Sequence, residues 1–172
     1  MPNWIRNIVI AHTKTAELLA AFKGTNAHGE EEEVTFNKIV PTPPEVDQGD
    51  VQFGNEKPLN WYDWNCEHWG TKWDACHGEV YSRFVEFDTA WSTPEPVIKA
   101  LAKMIDDPVI CVYADEDIGS NCGAYVCFPN GDVDEISPET MFAEAVWGNG
   151  SGMDEIAANL LEYHVSDHDY EE

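Results

Sequence analysis

No lysine or arginine follows Lys103. Residues 104–172 hold 17 Asp and Glu and no base, whereas residues 1–103 hold 16 acids against 9 bases. The formal net charge is −24. Direct nucleic-acid binding needs a cationic face, so that class of function is excluded. One-signed charge at this density costs stability through self-repulsion. It suits solubility, cation binding, or the presentation of carboxylates to a partner's phosphate-binding groove.

Other absences narrow the field. No apolar run is long enough to span a bilayer, and no basic-then-apolar leader opens the chain. A cytoplasmic protein without membrane association is expected. The five cysteines, Cys66, Cys76, Cys111, Cys122 and Cys127, are odd in number and contain no CxxC pair. Reduced thiols are the simplest reading. Gly119, Gly123, Gly148, Gly150 and Gly152 do not make a phosphate loop, because no Gly-x-x-x-x-Gly-Lys-Ser is present. No Ser-His-Asp or Cys-His arrangement has a recognisable context. His12, His28, His164 and His168 are scattered and read as surface or helix-end groups. A carboxylate pair among 33 acids cannot be picked out by spacing. The expectation is therefore a non-enzymatic protein.

What is present can build a core: 43% of the 172 residues are apolar and 12% aromatic. Residues 3–10 read as a first strand, with Ile5, Asn7 and Val9 alternating against Trp4, Arg6, Ile8 and Ile10. Thr13 or Thr15 caps a helix over 15–23, with Leu18, Leu19 and Phe22 as its stripe and Gly24 as its stop. The run Glu30 to Glu33 reads as a solvated loop. Val34 to Val40 reads as a second strand, ended by Pro41, Pro43 and Pro44. A short helix over 59–69 leads into Gly70, and a third strand covers 79–87. Ser92 or Thr93 caps the next helix, with Pro94 and Pro96 in its first turn. Its buried stripe is Val97, Ile98, Leu101, Met104 and Ile105. Val109 to Ala114, an unbroken apolar run, suits a central strand covered on both faces. A strand over 123–128 and a Pro-Asn-Gly-Asp turn follow, then helices over 138–146 and 152–164 and a polar tail frayed from Ser166.

Strand, helix, strand, then strand, helix, strand is the split-βαβ order. An α+β, ferredoxin-like sheet with helices on one face is expected, with an added hairpin and C-terminal helices. One domain spans 1–172: a core over 3–128 with a loop insertion at 41–78, an acidic helical extension over 132–165, and a tail over 166–172.

Several stretches carry a family resemblance. They are Pro2-Asn3-Trp4 with Asn7, Phe36-Asn37-Lys38-Ile39-Val40-Pro41, Trp69-Gly70-Thr71-Lys72-Trp73-Asp74, Thr89-Ala90-Trp91-Ser92 with Pro94, and Tyr113-Ala114-Asp115-Glu116. Together they resemble the YubB-like (Api-like) family of small phage and plasmid proteins with a ferredoxin-like domain. The resemblance covers most of residues 2–128. It implies a mobile-element origin and no catalytic residues. The base-free C-terminal third departs from the moderate acidity usual in that family.

Three groups of residues compete as sites. Cys66, His68, Cys76 and His77 are the metal candidates, although Cys-x-His and Cys-His lack the two-residue loop that turns both ligands toward one zinc. Packed free thiols are the competing reading, and no cofactor is expected. Asp115-Glu116-Asp117, with Asp132 and Asp134 across a hairpin, could gather a hard cation, though no EF-hand spacing supports it. Trp64, Trp69, Trp73 and Trp91 fill the end of the core, or else Trp69 and Trp73 stay exposed as a partner anchor with Lys72 stacked on an indole. The leading functional expectation is an acidic interaction protein that binds a basic, nucleic-acid-binding host protein by imitating phosphates. The contact candidates are Asp115, Glu116, Asp117, Asp132, Asp134, Glu135, Glu139, Glu144, Asp154, Glu155 and Glu162. A metal-stabilised module and an acidic accessory domain are the alternatives. A homodimer through an uncovered sheet face is also open.

Overall fold

The computed structural model describes residues 3–46, 48–49, 60–117, 120–136, 146–147 and 153–169. Its centre is β1 (Trp4–Ala11), flanked by β5 (Val85–Ala90) and β6 (Val109–Asp115), both antiparallel to it. With β4 (Cys76–Val80), β7 (Cys122–Cys127) and β8 (Val133–Ile136) the sheet runs β4-β5-β1-β6-β7-β8. Helices α1 (Thr15–Phe22) and α3 (Glu95–Ile105) complete a βαββαβ unit with β1, β4, β5 and β6. This is the ferredoxin-like, α+β architecture. The meander β7–β8 widens it at the β6 edge. A two-residue ladder, β2 (Gly24–Thr25) with β3 (Glu31–Glu32), and the short helix α2 (Trp61–His68) lie between α1 and β4.

Alternation along β1 divides two cores. Val9 and Ala11 face α1 and α3, together with Leu18, Phe22, Phe87, Val97, Ile98 and Leu101. Ile8 and Ile10 face the last helix, α4 (Met153–Asp169), together with Ile110, Val112, Val126, Met153, Ala157 and Leu161. The apolar run in β6 follows from this double burial. Met153, Ala157, Leu161 and Val165 are spaced by four and form the buried stripe of α4. Asp154 pairs with Arg83, Glu162 with His12 and His164 with Asp134, so α4 crosses the sheet from the β4–β5 hairpin to β8. The sheet face expected to be bare for a homodimer is therefore covered along that path. Among the described residues no helix is long and apolar enough to cross a membrane.

The strands of the split βαβ unit are not all those the sequence suggests. Val34 to Val40 forms turns rather than a strand. Its amides bond elsewhere: Thr35 N donates to Phe22 O, Phe36 N to the Asp74 carboxylate, and Val40 N to Phe36 O. Val34, Phe36 and Ile39 are still buried, so the apolar pattern reports burial without a ladder. The single strand expected over 79–87 is a hairpin, β4 into β5, closed by Tyr81 N on Phe84 O at 2.9 Å with the two rings stacked. The insertion therefore precedes both of these strands. Met104, expected in the buried stripe of α3, is half exposed. The tail expected to fray from Ser166 stays helical to Asp169. The helix expected over 138–146 lies largely outside the described residues, as do Glu139 and Glu144.

Burial also sorts the cysteines. Cys111, Cys122 and Cys127 are buried, and desolvation pushes the thiols of Cys111 and Cys127 up to about 12. Cys66 is exposed and Cys76 half-buried. Alkylation of the native protein near neutral pH should label Cys66 fastest and Cys76 next. Cys111, Cys122 and Cys127 should react only in denaturant, and mass spectrometry reads the difference directly. Native labelling of Cys111 at the rate of Cys66 would contradict this core.

Candidate functional site: an acidic flank and an indole-lined cavity

The carboxylates expected to contact a partner divide by position. Asp115 is 6% exposed; its Oδ1 accepts from Asn3 Nδ2 at 3.3 Å and Asp117 N at 2.8 Å. Glu116 Oε1 accepts from Trp4 N at 3.0 Å. Asp115 and Glu116 thus finish the β1–β6 end of the sheet. Asp132 lies in the β7–β8 turn beside Asn130. Since β7 separates the two turns by six residues, they stand about 20 Å apart. The shared cation site expected from Asp115, Glu116, Asp117, Asp132 and Asp134 is therefore not formed. A second group remains on β8 and α4. Asp134, Asp154 and Glu162 each hold one basic or imidazole partner, while Glu135, Glu155 and Asp167 are exposed without an ion pair among the described residues.

The four metal candidates do not converge. Cys66 is exposed on α2. His68 stacks on Trp64 at 4.6 Å, and its Nδ1 sits 3.0 Å from Trp64 O. Cys76 Sγ points to Asp74 O, and His77 Nδ1 lies 2.9 Å from Asp88 Oδ2. Among the described residues no three His, Cys, Asp or Glu side chains are grouped to hold a metal ion.

The tryptophans also divide. Trp69 is 2% exposed, edge-on to Phe36 and Trp64, with its Nε1 donating to Val40 O at 3.0 Å. It is a core residue, and its expected role as an exposed anchor is withdrawn. Trp73 lies nearer the surface, 6.0 Å from Trp4. Lys72 Nζ sits 4.6 Å from the Trp73 ring, 5.0 Å from Trp91 and 5.9 Å from Tyr62. The expected cation–π stacking of Lys72 is thus present. Trp91 is 49% exposed at φ 67, a conformation that is rare for a bulky residue. Sequence reading placed Trp91 in the core; nothing local to it signals the exposed, left-handed backbone.

The local chemistry of residues 69–74 explains their spacing. Gly70 has φ +77, and a Cβ there would come within 2.7 Å of Pro96 Cδ. Only glycine lets the turn approach α3 so closely. Thr71 Oγ1 donates to Ala90 O at 2.9 Å, and Ser92 Oγ donates to Gly70 O at 2.6 Å. These bonds join the two tryptophan motifs to each other. Asp74 joins them to the turn at 34–40, accepting from Thr35 Oγ1, Phe36 N and Ala75 N.

Beside this joint is a cavity of about 380 Å³. Trp61, Trp69 and Trp73 form walls, and Asn65, Asp74 and Cys76 supply polar groups. Burial raises Asp74 above the usual carboxylate range, against the hydrogen bonds from Thr35, Phe36 and Ala75, and the charge of Glu32 adds to the rise. Cys76 is raised by burial and then by Asp74, Asp88 and Glu32. The cavity therefore sits in a negative field.

A group whose folded pKa exceeds its unfolded value stabilises the fold below the unfolded pKa, and that stability is lost as pH rises through the folded pKa. Asp74 is of this kind. Denaturation of wild type and Asp74→Asn at successive pH values should show wild type losing ground to the variant as pH rises from the acid range to neutrality. A constant or reversed difference would contradict the assigned direction.

A family model described as a ferredoxin-like domain in Api92-like protein matches residues 68–157, slightly more than half of the chain. The matched span takes in β4, β5, α3, β6, β7, β8 and the start of α4. It runs past residue 128, so the β8 strand and its acids lie within the shared region. No curated protein and no solved structure matches the chain. A sheet of this topology, carrying that match over more than half its length, makes this chain a member of the Api92-like family with a ferredoxin-like domain.

Proposed function

We propose that the protein is a non-enzymatic docking module, carried by a mobile element, whose α4–β8 flank engages a basic, nucleic-acid-binding host protein such as a restriction or CRISPR effector. The observation that carries this reading is the absence of any lysine or arginine after Lys103, combined with carboxylates on a helix laid across the sheet. Asp154, Glu155, Glu162 and Asp167 stand on α4, and Asp132, Asp134 and Glu135 on β8 and its turn.

Magnitudes decide what this flank can imitate. The 17 residues of α4 span about 25 Å. Over that length a duplex presents about 15 phosphates, and one strand about 7. The carboxylates named match one strand rather than a duplex. The flank is thus proposed to occupy the part of a groove that holds a single phosphate backbone. Salt adaptation, the competing explanation, would spread acids and bases through the whole chain.

The test is a partner captured from host lysate and then measured with purified components. The variant combining Glu135→Gln, Glu155→Gln and Asp167→Asn should bind about tenfold more weakly than wild type at low salt, and the gap should close at high salt. Affinity indifferent to salt, or equal for variant and wild type, would contradict the proposal.

A further inference from the structure

We infer that the cavity beside β4 binds a guanidinium group. The inference goes beyond the acidic-flank reading and does not depend on it, because the cavity lies at the β4 edge and the flank at β8.

Three independent observations converge there. The first is the walls. Trp61, Trp69 and Trp73 surround the space, and none of the three is in ring contact with another. Indole faces attract cations, and guanidinium most readily stacks on them. The second is the field. Among the described residues no lysine or arginine lines the cavity, the nearest cation being Lys72 on the Trp73 ring at 4.6 Å. Asp74 does line it, and the charge of Glu32 from the neighbouring β3 reaches both Asp74 and Cys76. The exposed run Glu30 to Glu33 follows directly on Asn26, Ala27 and His28 at the rim. A phosphate or carboxylate would be repelled here. The third is an unpartnered acceptor. Asn65 is 7% exposed and lines the cavity. Its Nδ2 donates to Lys72 O at 2.9 Å, while its Oδ1 accepts no hydrogen bond among the described residues. This oxygen is not among the fully buried atoms without a partner, so it is open to a donor from the cavity, and a guanidinium N–H supplies one.

A planar cation with several donors meets all three demands; a neutral ring lacks the charge, and a compact ammonium lacks the stacking plane. The volume stands at the small end of small-molecule sites, which run from roughly 300 to 1,000 Å³. The same guanidinium could arrive as a free small molecule or as an arginine side chain in an exposed segment of another protein.

The full chain is titrated with N-acetylarginine amide, followed by indole fluorescence and calorimetry, with N-acetylcitrulline amide as the neutral isostere. Saturable binding of the arginine compound, at least about tenfold tighter than citrulline, is expected. Trp73→Ala should weaken it by about tenfold or more. Glu32→Gln removes the charge while keeping an oxygen that can accept from Asn26 Nδ2, as Glu32 Oε1 does at 3.3 Å, and should weaken binding about twofold through the field. The pentapeptide Gly-Gly-Arg-Gly-Gly separates the sources. Tighter binding than the amide assigns the site to a protein segment, and equal or weaker binding to a free guanidinium compound. Equal binding of arginine and citrulline, no saturation by either, or unchanged affinity in both Trp73→Ala and Glu32→Gln would overturn the inference. None of these results depends on the α4–β8 carboxylates, so a failure here leaves the acidic-flank reading standing, and the reverse also holds.

Discussion

Asn7, wholly buried in the central strand, is the polar group on which the arrangement of the sheet turns. Its Nδ2 donates to Ile5 O at 3.1 Å and to Thr89 Oγ1 at 3.0 Å on β5. Its Oδ1 accepts from Thr93 Oγ1 at 2.9 Å, at the entrance to α3, and from the Cys111 thiol on β6. Thr93 in turn meets the Tyr125 hydroxyl on β7 at 2.8 Å. Four strands and one helix are thus tied through one carboxamide. Each buried group left without its partner would cost about 1–3 kcal/mol, so a one-residue slip of β1 is strongly opposed. The surrounding apolar contacts supply most of the stability; this network chooses the register.

From that register the two surfaces acquire fixed positions. β4 and β8 are the edges of a six-stranded sheet, about 24 Å apart across its five inter-strand gaps. The indole cavity belongs to one edge and the acidic flank to the other. Between them α4 protects the second sheet face, and Trp147 stacks on Arg6 at 4.2 Å while donating to Ala114 O. Of the nine bases, Arg6 is held on Asp88, Arg83 on Asp154 and Lys72 among aromatic rings, while Lys23, Lys38, Lys99 and Lys103 are exposed. None of these bases lies on β8 or α4, so the flank itself carries carboxylates without lysine or arginine.

How much of this was legible in the sequence depended on whether the signal was local. In α3, Val97, Ile98, Leu101 and Ile105 read correctly because 3.6-residue periodicity is local. Met104 is instead exposed, and the N-cap is Pro94 rather than Ser92 or Thr93, whose hydroxyls are drawn to the distant Gly70 O and Asn7 Oδ1. The run Val109 to Ala114 reads correctly because burial on both sides leaves no polar alternation. The stretch at 34–40 misleads because Val34, Phe36 and Ile39 serve a turn whose amide partners, Phe22 and Asp74, are distant in sequence. The hairpin at 76–90 is hidden because Tyr81 to Phe84 carries neither glycine nor proline at the turn. Trp69 and Trp91 look alike in sequence; only tertiary contacts bury the first and expose the second. Asp115 and Glu116 read as surface acids because their donors, Asn3 and Trp4, are over a hundred residues away. The cavity combines α2, the segment at 26–28 and the start of β4, and no single stretch announces it.

The central claim is that a basic partner docks on the α4–β8 flank. Hydrogen–deuterium exchange of the full chain, alone and with the captured partner, tests it most directly. The account predicts added protection concentrated in residues 132–136 and 153–167, with the amides of β1 and α3 unchanged. Protection centred elsewhere, with these two segments exchanging as in the free protein, would contradict it.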